Sequence, residues 1–146
     1  MGVGRLFVLL ACEPLCGDGD FVASKIREVA ESKLGSGPFR WCDVAVVYRC
    51  GTPAEAHAAH LASLGAERIP FRANYRTQAT KAHAENACDK RMAAEVSGRR
   101  GMMIGFWNGR FRGLRNVFGY AKASGLERVQ VEFTPSPQTG QMRLDV

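Results

Sequence analysis

The seven residues Trp107-Asn108-Gly109-Arg110-Phe111-Arg112-Gly113 are the segment of this chain best equipped to hold an anion. Gly109 and Gly113 allow backbone to approach a ligand closely, because neither presents a Cβ. Arg110 and Arg112 offer charge-assisted hydrogen bonds to phosphate or carboxylate. Trp107, taken as exposed, offers a face on which a base could stack, and Asn108 adds an amide. The spacing is neither GxxxxGK[ST] nor GxGxxG. An ordinary turn with solvated arginines is the competing reading of the same residues.

Three other segments carry groups of chemical interest. In Cys12-Glu13-Pro14-Leu15-Cys16-Gly17-Asp18-Gly19-Asp20, Cys12 and Cys16 resemble half of a metal site. No second Cys/His pair has matching spacing, so neither a metal nor a cofactor is expected. Gly17 and Gly19 loosen the loop, and its carboxylates, Glu13 among them, could meet hydroxyls such as those of a ribose. Helix capping by Asp18 or Asp20 is the plainer role. In Tyr48-Arg49-Cys50-Gly51-Thr52, Gly51 and Thr52 precede a helix and form a second possible anion contact. Cys50 lies beside Arg49, but no base accompanies it to make it a nucleophile. His57 and His60 stand one turn apart and read as surface or packing residues. Glu85 and Asp89, four residues apart on a helix, could act together in acid–base chemistry. Tyr75 precedes that helix.

Alternating strands and helices must position these loops. Strands are expected at residues 6–11, 43–48, 67–73, 102–107 and 129–133, with a short final one at 142–146. Helices are expected at 21–34, from Pro53 to just before Gly65, at 78–96 and at 114–124. The signals are apolar residues at helical spacing (Val22, Ile26, Val29, Ala30), Pro53 at a first helical position behind Thr52, and Gly35, Gly65, Gly98 and Gly125 at the ends. The continuous apolar run at 44–47 is typical of a strand covered on both faces. Strands separated by helices predict a mainly parallel five-stranded sheet in a Rossmann-like α/β three-layer sandwich. Residues 1–134 form one expected domain and 135–146 a tail. Ligands of such sheets sit beyond the carboxyl ends of the strands, where strand order reverses. The loops above all fall there.

With 146 residues and 46% hydrophobic side chains, the chain can bury a core without bridges or metal. Five cysteines in such a chain predict free thiols and a reducing, cytoplasmic setting. No run approaches the ~18 apolar residues of a membrane span, so no membrane partner is expected. The net charge is +6, and all of it lies in the second half. Residues 90–115 carry Lys90, Arg91, Arg99, Arg100, Arg110, Arg112 and Arg115 against Glu95 alone. Such a field suits a phosphate-bearing small molecule or nucleic acid.

From about Val44 to Val131 the chain resembles the YspA-like branch of the SLOG superfamily, Rossmann-like domains related to DprA and the LOG enzymes. The resemblance rests on Gly105-Phe106-Trp107-Asn108-Gly109-Arg110-Phe111-Arg112-Gly113, on Tyr120-Ala121-Lys122-Ala123-Ser124-Gly125-Leu126, on Pro53-Ala54-Glu55 with Leu64-Gly65, and on Phe71-Arg72-Ala73-Asn74-Tyr75. It implies the fold and a nucleotide-type ligand. The family's Gly-Ser-Arg turn after the first strand is here Cys12-Glu13-Pro14. The Thr and catalytic Glu of the LOG motif fall on Leu114 and Val117, so that phosphoribohydrolase chemistry is disfavoured.

Three functions follow as expectations. The first is a binding or sensing domain for a nucleotide or a nucleotide derivative, held by Cys12, Glu13, Gly17, Arg49, Gly51, Thr52, Tyr75, Trp107, Asn108, Gly109, Arg110, Arg112 and Gly113. The second is hydrolysis or transfer at an N-glycosidic bond, with Glu13, Glu55 or Glu85 as the carboxylate. The third is nucleic-acid binding through residues 90–115. A homo-oligomer is left open.

Overall fold

Successive residues of a strand point to opposite sides, and the first strand uses both. In β1 (Leu6–Cys12), Leu6, Val8, Leu10 and Cys12 enter one core cluster, while Leu9 enters another. Both clusters are closed by helices, which is why the strand is apolar throughout. The computed structural model describes residues 5–35, 37–76, 80–109 and 112–134. After β1 come α1 (Gly19–Leu34), β2 (Val44–Arg49), α2 (Pro53–Ser63), β3 (Glu67–Phe71), α3 (Lys81–Ser97), β4 (Gly101–Phe106), α4 (Arg112–Ala123) and β5 (Glu127–Val131).

The five strands are all parallel, in the order β3-β2-β1-β4-β5. The fold is a Rossmann-like α/β sandwich. Helices α1 and α2 cover the face formed by Leu6, Val8, Val44, Val46 and Ile104, and α3 and α4 cover the face formed by Leu9, Val47 and Met103. The chain runs outward from β1 to β3, then crosses back to place β4 on the other side of β1. Strand order therefore reverses between β1 and β4, and a crevice opens beyond their carboxyl ends.

Edge strands β3 and β5 show the exposed face that central strands lack. Glu67, Arg68 and Pro70 on one edge, and Glu127, Arg128 and Gln130 on the other, discourage pairing with another sheet. Among the described residues no helix is long and apolar enough to cross a membrane.

The element boundaries differ from the sequence expectations for local reasons. Helix α1 starts at Gly19 rather than residue 21, because Asp18 is the cap that accepts from Phe21 N–H at 2.8 Å. Helix α3 starts at Lys81 rather than 78, because Thr80 accepts from His83 N–H at 3.0 Å. Strand β5 spans Glu127–Val131 rather than 129–133, its register set by β4. Thr52 stands at the cap position of α2, but its hydroxyl donates back to Arg49 O at 2.7 Å. The expected final strand at 142–146 lies outside the described residues.

Candidate functional site

The crevice beyond β1 and β4 is lined by Leu10 and Cys12 of β1, Arg49 of β2, Asp89 of α3, and Gly113 and Leu114 of α4. Thr52 and Pro53 at the start of α2 complete one wall. It is an apolar cleft with a charged pair on one side. The enclosed cavity is about 50 Å³, so a nucleotide-sized ligand would lie mostly across its mouth.

Arg49 organises the charged side. Its Nε donates to Asp89 Oδ1 at 3.0 Å, and Nη1 lies 3.5 Å from Glu85 Oε2. The Tyr75 hydroxyl donates to Glu85 Oε2 at 3.1 Å. A chain of contacts thus runs from exposed Tyr75 through Glu85 and Arg49 to buried Asp89. Asp89 is 2% exposed, the buried charged residue of the described core. Burial pushes its carboxyl up to about 6, against the lowering pull of Arg49 and with a further push from Glu85. Desolvation outweighs a guanidinium in direct contact, so Asp89 is poised to exchange a proton near neutral pH. The i, i+4 pairing of Glu85 with Asp89 is thus realised through a shared arginine.

The turn after β4 is held firmly. Asn108 uses both ends of its amide on Phe133, donating to its carbonyl at 2.9 Å and accepting from its N–H at 3.0 Å. Glu13 Oε2 accepts from Asn108 N–H at 2.9 Å, and Glu13 N–H donates to Phe106 O at 2.9 Å. Glu13 and Asn108 therefore tie the ends of β1, β4 and β5 together. These bonds occupy the groups the sequence reading assigned to a ligand. Trp107 is half-buried rather than exposed. Its ring stacks on Phe118 at 5.0 Å between centroids, and Phe118 packs so closely on β4 that a Cβ at Gly105 would lie 2.4 Å from it. Phe118, on the apolar underside of α4, takes one face of the indole. Gly109 has φ 89, which a side chain would disfavour. Arg110 lies outside the described residues; Arg112 and Gly113 are exposed at the first turn of α4.

The second expected anion contact is filled from within. Glu55 Oε1 accepts from Gly51 N–H at 2.7 Å. Its carboxylate sits where an anion at the start of α2 would sit, which also removes Glu55 from the crevice chemistry. Of the three glutamates considered for catalysis, only Glu85 joins a network that reaches the crevice, and the carboxylate that lines it is Asp89.

A second cluster lies on the α1–α2 side. Cys12, Cys16 and His57 bring their donor atoms within 4.8 Å of one another. Cys16 Sγ lies 3.5 Å from His57 Nε2. Both thiols are 1% exposed. Between them Leu15 adopts φ 64, turning the loop so that Cys16 returns onto Cys12. Cys16 is lowered to about 6 by the hydrogen bond from Cys12 and by the His57 imidazole, with burial opposing. Cys12 is pushed up by burial and by Cys16 beside it. His60 turns away to Asp20, 3.6 Å distant. The two histidines do not act as a pair, and the missing third donor for Cys12 and Cys16 comes from α2. Gly17 has φ 135, and a Cβ there would lie 2.5 Å from the Phe21 ring, so the loop needs glycine at this position.

Among the described residues, the basic side chains of 90–115 are spread over both edges of the sheet. Arg99 pairs with Glu95 and Arg100 donates to Lys33 O, both at the amino edge of the sheet. Arg112 lies at the carboxyl edge, the length of α3 away, about 25 Å for a 17-residue helix. Lys90 and Arg91 stand over Tyr120 and Phe71 on the outer surface.

No protein-family model, curated protein or solved structure matches the chain.

Proposed function

We propose that the protein binds a nucleotide or nucleotide derivative in the crevice beyond β1 and β4, as a binding or sensing domain. The observation that carries this reading is the position of the crevice at the reversal of strand order, with the first turn of α4 on its rim. Because Arg49 is already matched by two carboxylates, phosphate charge would be met by the N–H groups at the start of α4 and by Arg112. Tyr75, exposed and tethered through its hydroxyl to Glu85, is a ring available to a base or sugar. The likeness to SLOG domains agrees with this reading. A thermal-shift screen of nucleotides tests it: a ligand present at about 100 Kd adds ~2.7 kcal/mol. Stabilisation by at least one nucleotide is expected, and none at millimolar concentration would overturn the reading.

One observation favours a second reading, cleavage or transfer at an N-glycosidic bond. Asp89 lines the crevice with its carboxyl raised to about 6, the range of a general acid or base. Release of free base from a nucleoside monophosphate by the wild type, and its loss in Asp89→Asn, would support this chemistry. Binding without base release would leave the domain a sensor. Nucleic-acid binding is the third reading and has less support, since among the described residues Arg99 and Arg100 lie at the opposite edge of the sheet from Arg112.

A further inference from the structure

The geometry points to Cys12, Cys16 and His57 as a binding site for a thiophilic divalent cation, with Zn²⁺ the best fit and one coordination position left open. This site is separate from the reading of the crevice and stands or falls without it.

Three soft or borderline donors are the set that zinc takes, and three protein ligands with an open fourth position is the pattern of zinc sites that bind an exogenous group. The dimensions agree. Zn–S of about 2.3 Å and Zn–N of about 2.05 Å place sulfur and nitrogen about 3.6 Å apart across a tetrahedral edge. Cys16 Sγ and His57 Nε2 are 3.5 Å apart. A thiol–imidazole hydrogen bond alone would have a similar length. What it does not explain is the third donor, Cys12 Sγ, within 4.8 Å of both.

The backbone is shaped to make this convergence. Leu15, a residue with a branched side chain at φ 64, occupies the left-handed region that such residues rarely enter. That conformation brings Cys16 back over the end of β1. It leaves Leu15 itself 50% exposed while both cysteines are buried. His57 comes from the first turns of α2, a rigid support 41 residues further along the chain. A groove lined by Cys16, Gly17, Phe21 and Lys25 gives an ion its route from solvent. Binding would release any thiol protons, so that both thiolates face the cation.

The test is titration of the reduced, chelator-treated full chain with Zn²⁺ alone, followed by competition with a chromophoric chelator, and a parallel titration with Co²⁺. One equivalent of each metal per chain is expected, with an intense thiolate-to-cobalt absorption and visible bands of tetrahedral intensity. Cys16→Ser and His57→Gln should each cost more than the roughly 10–100-fold that loss of an outer-shell partner costs. Cys42→Ser, at an exposed position away from the cluster, should leave affinity unchanged. Far-UV circular dichroism of each variant checks folding, and His57→Gln, on a helix surface, guards against a merely unfolded Cys16→Ser. Weak or non-stoichiometric binding would overturn the proposal. So would an affinity unmoved by His57→Gln, or a Cys12–Cys16 pair that only oxidises to a disulfide.

Discussion

Two clusters flank the carboxyl end of β1, and they solve the burial of polar groups in opposite ways. On the α3 side, Arg49 is closed upon Asp89 and Glu85. Positive and negative charge meet within the protein, and the residual tension appears as a carboxyl raised to about 6. On the α1–α2 side, Cys12, Cys16 and His57 converge as donors within 4.8 Å of one another. The first cluster stabilises the fold only while it is complete. The second is a set of soft donors on buried cysteines and a helix histidine. Asp89 and Cys12 both line the crevice, whereas Cys16 and His57 lie outside its lining.

The comparison breaks most sharply at Arg49. Arg49→Met would leave two carboxylates in the crevice wall without their partner, and a loss of about 3–5 kcal/mol in urea unfolding is expected near neutral pH. The loss should shrink at about pH 5, where Asp89 takes a proton and needs no counter-charge. A loss independent of pH would contradict the account of Asp89.

Asp89 itself gives the next effect. Burial raises its carboxyl from the ordinary aspartate value of about 3.8 to about 6, so the folded state holds the proton more tightly than the unfolded chain. The contribution is full below about 4 and is lost as pH rises through about 6, worth about 3 kcal/mol in all. Subtracting the stability curve of Asp89→Asn from that of the wild type should isolate this fall. A flat difference between about pH 4 and about pH 6 would show that burial does not dominate there.

A smaller effect separates the turn from both clusters. Gly105→Ala drives a methyl group into Phe118, displacing the ring on which Trp107 stacks, at about 1–3 kcal/mol. Its stability loss should be the same at every pH at which the Arg49 effect varies. The smallest change is expected from Cys16→Ser, within about 1 kcal/mol of the wild type without metal, in contrast to its large effect on Zn²⁺ affinity.

The architecture was legible in the residues because local signals agreed with one another. The apolar runs of β1 and β2, Pro53 at the head of α2, and the glycines that end four helices all point to alternating strand and helix. The location of the crevice followed from the same pattern. What was not legible is which side chains meet there. His57 lies 41 residues from Cys16, and Asp89 lies 40 from Arg49. Both meetings depend on the rotational register of a helix against the sheet, which no spacing encodes. Hydrogen bonding also claimed residues that their chemical types offered to a ligand. Glu13 and Asn108 fasten three strand ends, and Glu55 fills the amide site ahead of α2. The signal that could have pointed to the thiol cluster was residue type alone: two cysteines four apart after β1 and a histidine on the helix that follows the neighbouring strand.

The most direct test of the crevice as the ligand site is an amide NMR titration of the labelled full chain with the nucleotide that stabilises it most. The account expects perturbed resonances at Cys12, Arg49, Asp89, Gly113 and Leu114, with Arg99, Arg100 and Gly101 at the opposite edge of the sheet unmoved. Perturbations centred on the opposite edge, or none at saturating nucleotide, would contradict it.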